Sequence, residues 1–424
     1  MFNIKYNLLV IFQIILGILN YILLLRVFGV SINSDAYLLT TSSFIVLTLL
    51  ESLPFGQIIP YYNDLKTMSI KKSNEFYNSS LLFSFIIGIG FFIFANIFIT
   101  VITKLFAFHI DPERMLLFRQ LLQIASFGFI FYPINQINEQ LLNAEMKFSI
   151  PYMLACLPTL FIVITQLMMI NYHSYNIKYL VLAQSIGFMV IAIFGTVYIA
   201  RYLVPFKLIF WTDALSKEIK NSSIIKIGDF FWGISIPVLF NNFLATFPKG
   251  YISYFYYARK IIDITNNFTL GPSVKILYSK ISKLLAIKDF KAIKILSRKF
   301  LILGGIIFIV ALIITYFIHI PILKIVTLNK LKLVDLQMIS LIYLTLCPWY
   351  VIRFFETPFC ATTRQAKKAK TIFFINIIFL VVFAPLLFVL RAKLGIYALG
   401  ISCAIAQLLN LILYIKSSNR ILKT

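Results

Sequence analysis

Tyr256-Tyr257-Ala258-Arg259-Lys260-Ile261-Ile262-Asp263 puts two cations and an anion inside a stretch, Tyr251 to Leu270, that otherwise has the length and composition of a membrane helix. A charged side chain at the centre of such a helix costs about 2.5–3.5 kcal/mol, so three of them facing lipid would cost about 8–10 kcal/mol. They therefore face water or protein. On a helix, Tyr256, Lys260, Asp263 and Asn267 fall on one side, with Arg259 and Asn266 beside them. A stripe of this kind attracts an anionic group and marks a substrate or ion path through a membrane protein.

Other polar residues lie where lipid would reject them. Asn20 and Arg26 fall on the first apolar span, Asp35 opens the second and Glu51 lies within it. Asn135, Gln136, Asn138 and Glu139 share the fourth span, and Asp229, Arg353 and Glu356 occur in the second half. With Arg259, Lys260 and Asp263, the residues Asn20, Arg26, Asp35 and Glu51 form the candidate substrate cavity. Glu139, Arg353 and Glu356, near inner span ends, are candidate gate or lobe-end residues. Arg26 and Asp35 lie close enough to the outer interface to pair with each other or to snorkel.

Catalytic patterns are absent. The sequence has no Gly-rich phosphate loop, nucleophile elbow or metal motif, so no enzyme, cofactor or metal is expected. Cys156, Cys347, Cys360 and Cys403 show no ligand spacing and read as packing residues. His109, His173 and His319 fall at expected external loop edges and read as interfacial. Loops are too short for a glycosyltransferase or an ATP-binding domain. Energy must then come from the membrane potential or from an H+ or Na+ gradient, where one charge crossing 100 mV is worth about 2.3 kcal/mol.

The elements that position these residues are apolar spans. The chain is 424 residues long, 60% apolar and 13% charged, and runs of about twenty apolar residues recur along it. Twelve spans are expected: Asn7–Phe28, Ala36–Tyr61, Phe76–Thr103, Leu121–Leu142, Pro151–Asn171, Tyr179–Ala200, Ile224–Phe247, Tyr251–Leu270, Phe300–Ile318, Leu336–Cys360, Ile372–Leu390 and Leu394–Ile415. The first lacks a small-residue cleavage site and reads as a retained helix. The formal net charge of +24 does not signal nucleic acid, because the cations sit in short loops. With the N-terminus inside, the inner loops and tails collect about 25 of the 39 Lys and Arg. Both termini are thus expected in the cytoplasm. The basic segment Lys275–Lys299 reads as an amphipathic linker on anionic phospholipid headgroups.

A polar gap divides the spans six and six. We expect an N-terminal lobe over residues 1–203, a cytoplasmic linker over 204–223 and a C-terminal lobe over 224–424. At an offset of about 217 residues, Glu139 pairs with Glu356, Ala144 with Ala361 and Lys147 with Arg364. Each lobe has an even number of spans, so a repeat would relate them by an axis along the membrane normal with a cavity between them. The expected fold is an all-α polytopic membrane protein of about twelve transmembrane helices in two six-helix lobes around a central cavity.

Four patches resemble the MurJ (MviN) lipid II flippases of the multidrug/oligosaccharidyl-lipid/polysaccharide exporter superfamily. They are Leu25-Arg26-Val27-Phe28-Gly29 with Ser34-Asp35-Ala36-Tyr37; Leu142-Asn143-Ala144 with Lys147-Phe148-Ser149-Ile150-Pro151; Tyr256-Tyr257-Ala258 with Lys260 and Asp263; and Gly395–Tyr414. They follow the family's order over nearly the whole chain. The resemblance implies two lobes around a cationic cavity and alternating access that turns a polyprenyl-diphosphate-linked sugar from the inner to the outer leaflet. It places Lys260 at a cavity arginine of the family, Asp263 at the neighbouring glutamate and Asp35 at a helix-two aspartate. The chain departs from the pattern at Asn20 and Thr48, where the family has arginines, and Lys260 lacks an arginine's planar fork. The family usually has two further C-terminal helices; this sequence ends soon after the twelfth span.

The resemblance implies a bacterial inner-membrane flippase for lipid II or a related lipid-linked glycan, serving the cell envelope, with envelope-synthesis enzymes as candidate partners. Two rivals stand beside it. A drug/cation antiporter of the same superfamily would prefer an acidic or apolar cavity. A non-transporting assembly scaffold would leave the intramembrane charges without a task.

Overall fold

The computed structural model describes residues 4–55, 58–145, 147, 149–286, 288–326, 331–366 and 368–422. Among these residues there is no β-strand. The chain runs through α1 (Ile4–Phe28), α2 (Ile32–Glu51), α3 (Ile58–Met68), α4 (Ile70–Ile97), α5 (Ile99–Phe106), α6 (Pro112–Ser126), α7 (Tyr132–Ala144), α8 (Ser149–Ala155), α9 (Leu157–Tyr172), α10 (Lys178–Tyr202) and α11 (Asp213–Ala245). It continues through α12 (Tyr251–Thr269), α13 (Gly271–Ala286), α14 (Phe290–Lys299), α15 (Gly305–Val326), α16 (Leu333–Gln365), α17 (Ala369–Leu394) and α18 (Ala398–Ile421).

Among the described residues each expected span falls largely on helix, but prolines subdivide several. The second, expected over Ala36–Tyr61, stops at Glu51, because Pro54 has no N–H to continue the ladder. A single 3₁₀ turn, Leu53–Phe55, leads on to α3. The fourth span bends by 41° between Pro112–Ile130 and Tyr132–Ala144, with Pro133 in the first turn of α7. Among the described residues, six helical stretches are long and apolar enough to cross a membrane, or seven counting that bent pair. One of the six, Lys370–Ile421, contains both α17 and α18. The helices α2 and α12, crowded with hydroxyl, amide and charged side chains, are not among them.

Contacts divide the chain into two compact units, Met1–Thr246 and Phe247–Thr424. The first runs past the expected lobe of residues 1–203 and the expected linker of 204–223, because α11 is hydrogen-bonded to α2 and to the segment after α5. Asn241 Nδ2 donates to Ser42 Oγ at 2.8 Å, and Asn242 Oδ1 accepts from the Phe108 N–H at 2.8 Å. Part of the expected linker is the start of α11, which Thr212 caps by accepting from the Leu215 N–H at 3.2 Å. The core of this unit gathers Phe55, Tyr62, Phe76, Tyr77, Ile137 and Ile199. Helices α9 and α10 cross so closely that a Cβ on Gly187 would lie 2.5 Å from the Pro158 Cα.

In the second unit α16 packs along α18, and Gly400 lets the α18 backbone meet the Thr345 carbonyl. The basic segment 275–299, expected as one amphipathic linker, is two helices. It forms α13 and α14, whose apolar faces dock on the protein: Leu277, Ile281 and Ile293 are buried against Ala361. The cations Lys280, Lys288, Lys291, Lys294, Arg298 and Lys299 remain exposed.

Candidate functional site

The α12 helix begins at Gly250, whose φ of 95° suits glycine. It carries the charges in the register expected from sequence. Arg259 and Asp263, one turn apart, approach to 3.7 Å between Nε and Oδ2, an ion pair too long for a hydrogen bond. The tighter partner of Asp263 comes from α16: Tyr350 Oη donates to Asp263 Oδ1 at 2.6 Å. Both charged side chains are partly exposed, 28% for Arg259 and 36% for Asp263. Lys260 is half-buried beside them and Asn267 is exposed. Nearer the helix start, Tyr254 Oη donates to Asp335 Oδ1 on α16.

A second set lies on the other side of Tyr350. The Trp349 indole N–H donates to Gln407 Oε1 of α18 at 3.0 Å, and Gln407 Nε2 donates to Glu356 Oε2. Glu356 is buried at 9% exposure while Arg353, on the same helix, is exposed. One turn beyond Gln407, Asn410 Oδ1 is buried without a hydrogen-bond partner among the described residues. Three helices, α12, α16 and α18, thus bring cation, carboxylate, phenol, indole and amide together within one unit. Chemically this suits holding an anionic oxygen group, with Asp263 and Tyr350 fixing where the guanidinium lies.

The first unit separates its candidates. Asp35, expected in the cavity, is wholly buried and forms an ion pair with Arg114. Asp35 Oδ2 lies 3.3 Å from Arg114 Nη1, with side chains 0% and 1% exposed. Arg114 also meets Asp111 at 2.9 Å. This clamp joins the start of α2, where Ser31 and Ser34 form a capping box, to α6. Asn20 is used structurally as well: Gln166 Nε2 of α9 donates to its Oδ1 at 3.0 Å. Arg26 is half-buried in the last turn of α1. Glu51 is 1% exposed, and neither carboxylate oxygen has a hydrogen-bond partner among the described residues. Glu139 is exposed and, with Tyr132, Asn135, Gln136 and Asn138, lines a cavity of about 160 Å³.

Where α7 ends, outside the expected spans, Glu145 accepts from Tyr62 Oη at 2.8 Å and pairs with Lys66. Burial pushes the Glu145 carboxyl up, but the hydrogen bonds from Lys66 and Tyr62 and the charges of Lys66 and Lys147 outweigh it and hold it below the usual carboxylate range. His319 is not at a loop edge: it is buried in α15 with its ring stacked on Tyr343 at 5.5 Å. Among the described residues no cluster of His, Cys, Asp or Glu could hold a metal ion.

Residues 24–424 match the profile of the family described as Lipid II flippase MurJ. The chain belongs to the lipid II flippase MurJ family. The matched range takes in every candidate site residue except Asn20. A curated relative, a probable lipid II flippase MurJ of Buchnera aphidicola subsp. Schizaphis graminum, is 26% identical over 260 residues, 59% of this chain. The match spans about half the length of that relative. A solved lipid II flippase MurJ in an inward closed conformation aligns over 99% of this chain and 90% of its own, with a TM-score of 0.80 at 19% identity. An inward-facing multidrug resistance MATE family transporter of the MOP superfamily aligns over 97% and 95%, with a TM-score of 0.79 at 15% identity. These likenesses establish the fold, the all-helical two-lobe architecture of about twelve transmembrane helices.

Sequence reasoning missed Arg114, Trp349, Tyr350 and Gln407. Gln407 and Asn410, amides three residues apart in an apolar span, were a usable signal. Tyr350 was not distinguishable from any other tyrosine of the span, since its partner lies 87 residues away.

Proposed function

We propose that this chain moves a polyprenyl-diphosphate-linked glycan, lipid II or a close relative, from the inner to the outer leaflet of the bacterial plasma membrane by alternating access. The observation that carries the reading is the partly exposed Arg259–Asp263–Tyr350 set on α12 and α16, with Lys260 beside it, in a chain of the MurJ family. Arg259 and Lys260 attract the diphosphate, and Asp263 and Tyr350 hold Arg259 in place. Both termini lie in the cytoplasm, where the basic loops meet anionic phospholipid. The step runs on the membrane potential or on an H+ or Na+ gradient. Envelope-synthesis enzymes supply the substrate on one side and consume it on the other.

The fold is shared with MATE family transporters, so drug export is the natural rival. The two cations of α12 disfavour a cationic drug and favour an anionic headgroup. The test is complementation of a strain depleted of its lipid II flippase. The chain rescues growth, and the Arg259→Ala/Lys260→Ala variant, inserted at equal level, does not. Rescue by the double variant overturns the cationic-site reading. Failure of the unaltered chain, inserted in the membrane, overturns lipid II as substrate.

A further inference from the structure

Helices α17 and α18 leave a groove of about 530 Å³ between the first turns of α17 and the last turns of α18, a volume within the range of about 300–1,000 Å³ typical of ligand sites. Its rim carries three cations, Lys368, Lys416 and Arg420, and two hydroxyls, Thr371 and Ser417. Its floor is apolar: Phe374, Ile378 and Leu413. No carboxylate lies among the described residues that line it. From Lys368 to Ile378 is ten residues, about 15 Å along a helix axis. Chemistry therefore changes along the groove from cationic to hydroxylic to apolar, in the direction running from the helix ends into the bilayer. Phe374 is 61% exposed, so the floor opens sideways to lipid.

We propose that this groove is a binding site for an anionic diacyl phospholipid of the cytoplasmic leaflet. The phosphate lies among Lys368, Lys416 and Arg420, the glycerol oxygens meet Thr371 and Ser417, and an acyl chain runs over Phe374 and Ile378. Charge complementarity selects the occupant. A zwitterionic lipid would bring its own cation to a rim that already holds three. Free phosphate would satisfy the rim and leave the apolar floor unused. The exposed cations of α14 offer no equivalent, because its apolar face is already packed on the protein. The inference does not depend on the transported substrate, so its failure leaves the flippase reading untouched.

The test is native mass spectrometry of the full chain released from phosphatidylcholine nanodiscs doped with phosphatidylglycerol. One retained phosphatidylglycerol is expected. The K368Q/K416Q/R420Q variant should bind it about a hundredfold more weakly, while K288Q/K291Q/K294Q, an equal loss of surface charge, should weaken it less than about fivefold. If the triple groove variant does not fold, K416Q alone should weaken retention about fivefold. Equal loss in the groove and α14 variants overturns the site in favour of diffuse surface charge. Displacement by millimolar inorganic phosphate overturns the lipid in favour of a free anion. Displacement by undecaprenyl phosphate at equal mole fraction overturns it in favour of a polyprenyl lipid.

Discussion

The Asp35–Arg114 pair makes the sharpest claim about a residue that sequence alone assigned to substrate. Both side chains are withdrawn from solvent, at 0% and 1% exposure, and lie 3.3 Å apart. Removing one partner of a buried ion pair costs about 3–5 kcal/mol, because the other charge keeps its desolvation and loses its compensation. The cost should be unequal. Arg114→Ala removes the cation from a carboxylate that is wholly buried. Asp35→Ala leaves Arg114 its contact with Asp111, which is 62% exposed, so the loss should fall near the lower end, about 3 kcal/mol. Asp111→Ala touches an exposed charge and should cost about 0–1 kcal/mol. At about 2–4 °C per kcal/mol for units of this size, Arg114→Ala should lower the unfolding midpoint by about 6–20 °C. The buried Cys156 and Cys403 provide the assay, since a thiol-reactive dye reports their exposure as detergent-solubilised protein is heated. Asp35→Leu/Arg114→Leu should recover most of the loss, as paired apolar replacements of buried ions commonly do. Midpoints for all three single variants within about 2 °C of one another would refute the clamp and return Asp35 to the list of candidate substrate ligands.

Two further outcomes follow from the site and its surroundings. Because Glu145 is held below the usual carboxylate range, its stabilisation is complete above the ordinary carboxylate value of about 4.3 and is lost as pH falls through its own lower value. The unfolding midpoint of the unaltered chain should therefore fall more steeply below about pH 4.5 than that of Glu145→Gln, and parallel curves would contradict the assignment. Tyr350→Phe removes the hydroxyl that donates to Asp263, a hydrogen bond to a charged group worth about 1.5–3 kcal/mol. Asp263 should then draw Arg259 closer and cut flipping in reconstituted vesicles about tenfold or more, with Asp263→Asn restoring part of it. Unchanged flipping in Tyr350→Phe would sink the positioning role.

What the sequence made legible followed from local spacing. The α12 boundaries, Tyr251–Thr269 against the expected Tyr251–Leu270, came from apolar length, and the polar stripe of Tyr256, Lys260, Asp263 and Asn267 with Arg259 beside it came from helical register; that Asp263 pairs with Arg259 is a finding of the structure. What stayed hidden needed partners distant in the chain. Asp35 has a nearby arginine in sequence, Arg26, and its structural partner is 79 residues further on. The segment 275–299 shows why an amphipathic pattern is ambiguous. A stripe such as Leu277, Ile281 and Ile293 gains similar free energy against a membrane interface or against a protein face, and sequence carries no term that separates the two.

The proposed repeat exposes a similar limit from the other side. Glu139 and Glu356 occupy matching positions by offset, yet Glu139 is exposed beside a small cavity while Glu356 is buried beneath Gln407. A buried carboxylate is stabilised where a donor replaces its water. Gln407 supplies that donor, and Trp349 fixes the orientation of the Gln407 amide by occupying its carbonyl. The second unit thus spends two side chains on holding an acid that the first unit leaves in contact with solvent. That investment lies one residue away from Tyr350, which carries Asp263 and, through it, Arg259. Indole, amide and buried acid on one side, phenol, aspartate and guanidinium on the other, all rest on the same two turns of α16. The asymmetry therefore has a physical sense. The unit that bears the cationic site is also the unit in which a buried polar network stiffens the helix presenting its key hydroxyl.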